Sequence, residues 1–118
     1  MEVSQMIVNV NSEQPEKLTA FYADVIGLPK NPDMGETAFM AGGTPFIIDG
    51  HSNVHGPAGQ PERVLLNFFV DDAAAEQKRL EGKGVKFIRS AGREAWGGVI
   101  STFVDPDGNY LQLIEFKP

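Results

Sequence analysis

The chain has 118 residues, of which 42% are hydrophobic and 22% charged, and a formal net charge of −6 at pH 7. These values are typical of a soluble globular protein. The negative charge argues against a nucleic-acid partner, because no stripe of Lys and Arg offsets it. No apolar run is long enough to span a membrane. The absence of cysteine excludes disulfides and thiolate chemistry.

The first half of the chain predicts a strand, a helix and two further strands. Residues 5–10 alternate between apolar and polar side chains, which is typical of a strand. Pro15 suits the first turn of the helix, and Gly27 suits its end. Short strands are predicted over residues 37–40 and 45–49. The apolar stripe of the helix has four members at helical spacing: Leu18, Phe21, Tyr22 and Val25.

The second half repeats this order after a linker over residues 51–61 that is rich in Gly, Pro, Ser and Asn. A strand over 63–70 precedes a helix over 73–81, whose start is capped by Asp71-Asp72. Three more strands are predicted, over residues 85–89, 98–104 and 109–116. We interpret the two halves as copies of one β-α-β-β-β module, of which the first half shows three predicted strands, and such a repeat suggests gene duplication. We expect a single domain made of two modules, residues 1–57 and 62–118.

The last two predicted strands are joined by Asp105-Pro106-Asp107-Gly108. Asp, Pro and Gly occupy the positions that a type I turn with a left-handed glycine favours. This turn explains both carboxylates, so we do not assign them to acid–base chemistry. The fold predicted from these elements is α+β, with two curved mixed sheets, helices outside and a concave inner face.

Three stretches of the chain resemble the vicinal oxygen chelate superfamily, which includes glyoxalase I, extradiol dioxygenases, fosfomycin-resistance enzymes and bleomycin-resistance proteins. They are residues 15–28 with the Phe21-Tyr22 pair, Trp96-Gly97-Gly98, and residues 105–109. With the duplicated order, the resemblance covers nearly the whole chain. It implies the fold given above and a homodimer, because members of this superfamily commonly pair modules to complete their cavities.

The resemblance also implies four metal ligands, one from each of four strands, usually His or Gln, Glu, His and Glu. The matching positions here are Gln5, Ile47 or Ile48, Leu65 and Gln112. Two neutral amides and aliphatic side chains do not hold a divalent ion tightly. We therefore expect no metal and no other cofactor.

The leading hypothesis is a cytoplasmic protein that binds a small organic molecule in the concave face without metal and has no nucleic-acid or membrane partner. The cytoplasmic location is expected because the first residues show no secretory pattern. Pockets of this kind are mostly apolar with a few polar groups. Eight residues are expected to contact the ligand: Gln5, Asn9, Phe46, Asn67, Phe69, Trp96, Tyr110 and Gln112.

Two alternatives remain open at this point. A metal-dependent lyase or dioxygenase of glyoxalase type would need Glu94, His51 or Glu115 in a rearranged site, and whether the protein is an enzyme is undecided. An accessory or dimerisation module would have its concave face filled by its own side chains. We also expect His51 and His55 to lie in a loop, and Glu94 beside Trp96 could receive a cationic or aromatic ligand.

Overall fold

The computed structural model describes residues 1–117 and shows two compact units, Met1–Gly56 and a second that begins at Pro57. Each unit has one α-helix and one open mixed sheet, so the α+β prediction is confirmed. The first unit contains β1 (Val8–Ser12), α1 (Pro15–Ala20), β2 (Ala38–Ala41) and β3 (Thr44–Gly50). The second contains β4 (Leu66–Phe69), α2 (Ala73–Gly82), β5 (Lys86–Arg93), β6 (Val99–Val104) and β7 (Tyr110–Glu115). Within residues 1–117, no helix combines the length and apolar character needed to cross a membrane.

In the first unit the strands lie in the order β1-β3-β2, with β1 parallel and β2 antiparallel to β3. One face of this sheet packs on α1. Leu18 and Tyr22 are fully buried, and the Tyr22 ring contacts the Phe46 ring at a centroid distance of 4.8 Å. Ile48 is buried on the same face, so the core of this unit lies between α1 and β3.

The first helix changes its hydrogen-bonding pattern partway along. α1 continues as a π-helical segment, Phe21–Ile26, and ends at Gly27, which has a left-handed φ of 82°. The carbonyl of Tyr22 accepts hydrogen bonds from the backbone N–H groups of both Gly27 and Leu28 at 3.0 Å. The end at Gly27 was predicted, but the π-helical segment was not, because the apolar spacing of the sequence fits an ordinary α-helix.

The sheet of the first unit has fewer strands than the sheet of the second. Where the second unit forms β5, the first has only an isolated bridge between Lys30 and Phe39. Pro29 and Pro32 flank this bridge and have no backbone N–H to donate to a ladder. The β-α-β-β-β order is therefore complete in the second unit and reduced in the first.

The first strand begins later than predicted, at Val8 rather than residue 5. Val8 pairs with Phe46 of β3. The preceding residue of that partner strand is Pro45, which cannot donate a ladder hydrogen bond. Gln5 consequently lies ahead of β1 and is exposed.

In the second unit the order is β4-β7-β6-β5, with β4 parallel to β7 and the other pairs antiparallel. The predicted cap of α2 is confirmed at Asp72, whose carboxylate accepts from the Ala75 N–H at 3.0 Å. Glu115 of β7 accepts from the Ala73 N–H at 3.0 Å. α2 packs on the face of the sheet that carries Leu111 and Phe103, both fully buried.

The predicted turn between β6 and β7 is confirmed in detail. The Gly108 N–H donates to the Asp105 carbonyl at 3.0 Å, and Gly108 has a left-handed φ of 80°. One carboxylate oxygen of Asp105 accepts from the N–H groups of Asp107 and Asn109, at 2.9 and 3.0 Å. The other accepts from the Asn109 side chain at 2.9 Å. Asp105 is buried, so its carboxylate serves the turn.

Candidate functional site

A row of polar side chains crosses all four strands of the second sheet on the face turned away from α2, here called the far face. The register places Asn67 of β4 beside Gln112 of β7, Gln112 beside Thr102 of β6, and Thr102 beside Arg89 of β5. Side chains at directly opposed positions of adjacent strands lie close enough to interact. The pleat therefore brings four hydrogen-bonding groups from four strands into one line, here called the polar row.

The members of the polar row differ in how they are engaged. Gln112 donates from Nε2 to the Thr102 hydroxyl at 3.3 Å, and Thr102 is 5% exposed. Arg89 forms an ion pair with Glu94, with Nη2 and Oε1 2.7 Å apart. The Asn67 side chain is exposed and has no hydrogen-bond partner among residues 1–117. Asn67 and part of Gln112 thus remain available to a ligand.

An apolar row lies two residues further along the same strands. Phe69 is opposite Ile114, and Ile114 is opposite Ile100. Phe69 is 71% exposed, which is unusual for a phenylalanine in a strand. An exposed aromatic ring next to polar groups is a common feature of small-molecule sites.

Trp96 lies in the turn between β5 and β6, at the end of the sheet. It is 53% exposed, and its ring contacts Phe116 at a centroid distance of 5.4 Å. The indole covers Gly98 and occupies the space that a side chain there would need. The turn itself is held by a hydrogen bond from the Glu94 N–H to the Gly98 carbonyl, 2.7 Å long.

Five of the eight predicted ligand residues belong to the second unit. Asn67, Phe69, Gln112 and Tyr110 all lie on the far face, the last opposite Val104, and Trp96 lies in the turn just described. The register therefore places the four strand residues on one face of the sheet.

The three predicted residues of the first unit are placed differently. Asn9 is exposed on the sheet face away from α1, and its amide donates to Asp49 at 2.8 Å and to the Ile47 carbonyl at 3.2 Å. Phe46 is 1% exposed and packs on Tyr22 on the helix side. Its predicted position on the ligand face is wrong, because the parity of β3 turns it into the core. The prediction that places Gln5 within the first strand is also wrong.

The residues at the superfamily's metal positions do not fit a divalent ion. Gln5 lies outside the strand, and Gln112 offers a neutral amide. The side chains of Ile47, Ile48 and Leu65 have no atom that can bind a metal. Within residues 1–117 there is no group of three or more His, Cys, Asp and Glu side chains that could hold a metal. The donor chemistry of this set is unsuitable for tight binding of a divalent cation.

The residues that a rearranged metal site would need are engaged elsewhere. His51 lies in a loop, where its ring Nδ1 accepts from the Asn53 N–H at 3.0 Å. Glu94 pairs with Arg89, and Glu115 caps α2. His55 also lies in the loop, 3.7 Å from Glu13, so the loop placement of both histidines is confirmed.

Arg89 and Thr102 are members of the polar row that the sequence did not reveal. Thr102 is detectable in principle, because alternation along β6 places it on the same face as Ile100. Arg89 is not, because the pairing of β5 with β6 shifts by one residue between Phe87 and Arg89. Such a bulge adds one residue to the strand, so residues after it lie on the opposite sheet face from the one that simple alternation predicts.

A separate groove of about 600 Å³ lies in the first unit along the flank of α1. It is lined by α1, by the segment around Lys30 and Glu36, and by the end of β3. None of the eight predicted ligand residues lines it, and it therefore does not overlap the polar row.

Comparison with known proteins extends these observations. A model of the Glyoxalase/Bleomycin resistance protein/Dioxygenase superfamily matches residues 5–113. A member of that superfamily from Sphaerobacter thermophilus has a similar structure, with a TM-score of 0.76 and 20% identity over 98% of this chain and 99% of that one. A comparison with functionally curated proteins gives no match.

Two further solved structures share the fold. A protein of unknown function from Agrobacterium tumefaciens has a TM-score of 0.72 and 24% identity, over 99% of this chain and 95% of that one. An integron cassette protein from the mobile metagenome of a Halifax Harbour sewage outfall has a TM-score of 0.73 and 19% identity, over 98% and 100%. The family model spans nearly the whole chain, both units included. The protein therefore belongs to the glyoxalase/bleomycin resistance protein/dioxygenase superfamily.

Proposed function

We propose that this protein binds a small organic molecule on the far face of the second sheet, without a resident metal ion. The observation that carries the proposal is the polar row, which lies directly beside the exposed ring of Phe69. An apolar surface with a few placed polar groups is the usual composition of a ligand site. Superfamily membership supports the scaffold, and the donor set at the metal positions supports binding without a metal.

The side chains suggest how such a ligand is held. Phe69 contributes apolar contact area, and burial of an exposed ring against a ligand is favourable by about 25 cal/mol per Å² of apolar surface. Asn67 and Gln112 supply hydrogen-bond donors and acceptors that fix its orientation. Thr102 holds the Gln112 amide in place, which reduces the entropy that binding must overcome.

A library of small aromatic and heterocyclic compounds tests the proposal by thermal shift and ligand-observed NMR. Binding compounds should raise the midpoint of unfolding of the wild-type protein. The variants Phe69→Ala and Gln112→Leu should weaken them. Gln60→Leu makes the same chemical change in an exposed turn of this unit and should leave binding unchanged. A library that contains no stabilising compound, while the protein is folded, contradicts the proposal.

Metal analysis separates this function from the metal-dependent alternative. We expect protein purified without chelators to contain no stoichiometric zinc, nickel or iron. A stoichiometric ion that is lost in Gln112→Leu, and a lyase or dioxygenase activity that depends on it, would support an enzyme of glyoxalase type instead.

We also propose that the protein forms a homodimer. β4 is an edge strand, and the residues just before it, Val64 and Leu65, are 69% and 39% exposed. Exposed apolar edges favour pairing with another chain. Sedimentation velocity should show a dimer that Leu65→Lys weakens. A monomer at all protein concentrations contradicts this proposal and leaves the ligand proposal intact.

A further inference from the structure

We propose that the far face of the second sheet selects an uncharged aromatic carboxamide over its charged analogues, an inference that rests on the proposed function. It depends on the charge balance of the polar row and on the kind of hydrogen bonds that its two amides offer.

The polar row carries no net charge once Glu94, the ion-pair partner of Arg89, is counted with it. Arg89 and Glu94 neutralise each other at 2.7 Å, and the remaining members are amides and a hydroxyl. An anionic ligand group would have to compete with Glu94 for the guanidinium, and a cationic one would have to compete with Arg89 for the carboxylate. The idea that Glu94 receives a cationic ligand is therefore not favoured, because its partner is already in place.

Another charge on the far face is that of Lys86, which lies opposite Val104 on the edge strand β5. Lys86 is exposed, so solvent and salt screen its effect on a ligand at the polar row. Its contribution is the same in every variant considered below and cancels when the variants are compared.

The two members of the polar row that are open to a ligand are both primary amides. Asn67 and Gln112 stand directly opposite each other, on adjacent parallel strands. A primary amide both donates and accepts, and so does a ligand carboxamide, whereas a carboxylate only accepts and an ammonium group only donates. A carboxamide can therefore satisfy a donor on one side and an acceptor on the other.

The aromatic part of the ligand follows from the position of Phe69. This residue lies two positions after Asn67 and on the same face of β4. A ring attached directly to the carboxamide can contact Phe69 while the carboxamide contacts Asn67. Offset-stacked or edge-to-face contacts between rings add to the apolar burial.

Three matched probes test this selectivity: benzamide, benzoate and benzylammonium, each titrated by protein-observed NMR at neutral pH. We expect benzamide to bind wild-type protein tighter than either charged probe, by roughly three- to tenfold, the ratio expected for one net hydrogen bond. Tryptophan fluorescence of Trp96 reports whether each variant keeps the fold of the adjacent turn.

Two single variants should move the preference in opposite directions. Glu94→Gln leaves Arg89 unpaired and should shift the preference toward benzoate. Arg89→Gln leaves Glu94 unpaired and should shift it toward benzylammonium. The double variant, Arg89→Gln with Glu94→Gln, is neutral again and should restore the preference for benzamide. Glu62→Gln removes an exposed carboxylate in the turn Pro61–Arg63 and should behave like wild type.

The outcomes are distinguishable. Equal affinities of the three probes, or a preference that the two single variants do not shift, overturn the inference and leave the proposed function standing. The same holds if no probe binds while other compounds of the library do. If no compound binds at all, the proposed function falls with it.

Discussion

The two units of this protein share one order of helix and strands but differ in the number of strands that each completes. The second unit forms four paired strands, whereas the first forms three and an isolated bridge. The segment of the first unit that corresponds to β5 contains two prolines, Pro29 and Pro32, which cannot donate ladder hydrogen bonds. Similar apolar patterns in the two halves therefore give the same order of helix and strands. Single residues that cannot donate backbone hydrogen bonds limit the number of paired strands.

The sheet faces turned away from the helices show a second difference. In the first unit the Asn9 amide donates to Asp49 and to the Ile47 carbonyl, so the protein itself uses both of its N–H groups. In the second unit the Asn67 side chain is exposed and makes no hydrogen bond within residues 1–117. A polar side chain on a sheet face is open to a ligand only to the extent that the protein does not already make its hydrogen bonds.

The largest expected difference in stability is between the loss of a buried phenylalanine in the first unit and the loss of an exposed one in the second. Phe46→Ala should lower the free energy of unfolding by about 3–5 kcal/mol, because it leaves a cavity against Tyr22. Phe69→Ala, at an exposed position, should change it by less than about 0.5 kcal/mol. Urea denaturation followed by circular dichroism measures both. A small effect at Phe46 would contradict its assignment to the core and return it to the ligand face.

The next largest expected loss of stability comes from substitutions in the hairpin turns of the two units. Asp105→Ala removes three hydrogen bonds from a buried carboxylate, and we expect a loss of about 2–3 kcal/mol. Gly42→Ala, in the turn between β2 and β3, forces a side chain into a left-handed φ of 59° and should cost about 1 kcal/mol. If thermal melts show the reverse order, the Asp105 hydrogen bonds stabilise the second hairpin less than the structure indicates.

A smaller effect is expected at the turn that carries the only tryptophan of the chain. Gly98→Ala places a methyl group where the Trp96 ring lies, so the indole must move, at a cost of about 1–2 kcal/mol. Its fluorescence emission should shift to longer wavelength as the ring becomes more exposed. Gly92→Ala introduces a methyl group whose nearest neighbour is the Ser90 carbonyl at 3.7 Å, and it should leave the emission unchanged.

Most of the fold was predictable because it depends on patterns that are local in the sequence. The cap at Asp72, the end of the first helix at Gly27 and the turn from Asp105 to Gly108 were each predicted from residue chemistry, and each has the predicted hydrogen bond or φ. The family resemblance then predicted how these elements are arranged in the fold.

The candidate site was less predictable because it depends on register. Asn67 and Gln112 were placed correctly by alternation, since β4 and β7 have no bulge. Phe46 was assigned to the wrong face, and Arg89 was missed beyond a bulge in β5. A shift of one residue exchanges the two faces of a strand, so an error of that size moves a residue between core and ligand surface.

The smallest expected effect concerns a hydroxyl in the core of the second unit. The Ser101 Oγ is buried and has no hydrogen-bond partner among residues 1–117. An unsatisfied buried polar group is unfavourable, so Ser101→Ala should leave stability unchanged or raise it by up to about 1 kcal/mol. Ser90→Ala is the matched control, because the Ser90 hydroxyl accepts from Gln77 at 3.3 Å and its loss should lower stability. A clear loss of stability in Ser101→Ala would mean that the hydroxyl has a hydrogen-bond partner in solution, such as a buried water. The core of the second unit would then contain a polar contact as well as apolar packing.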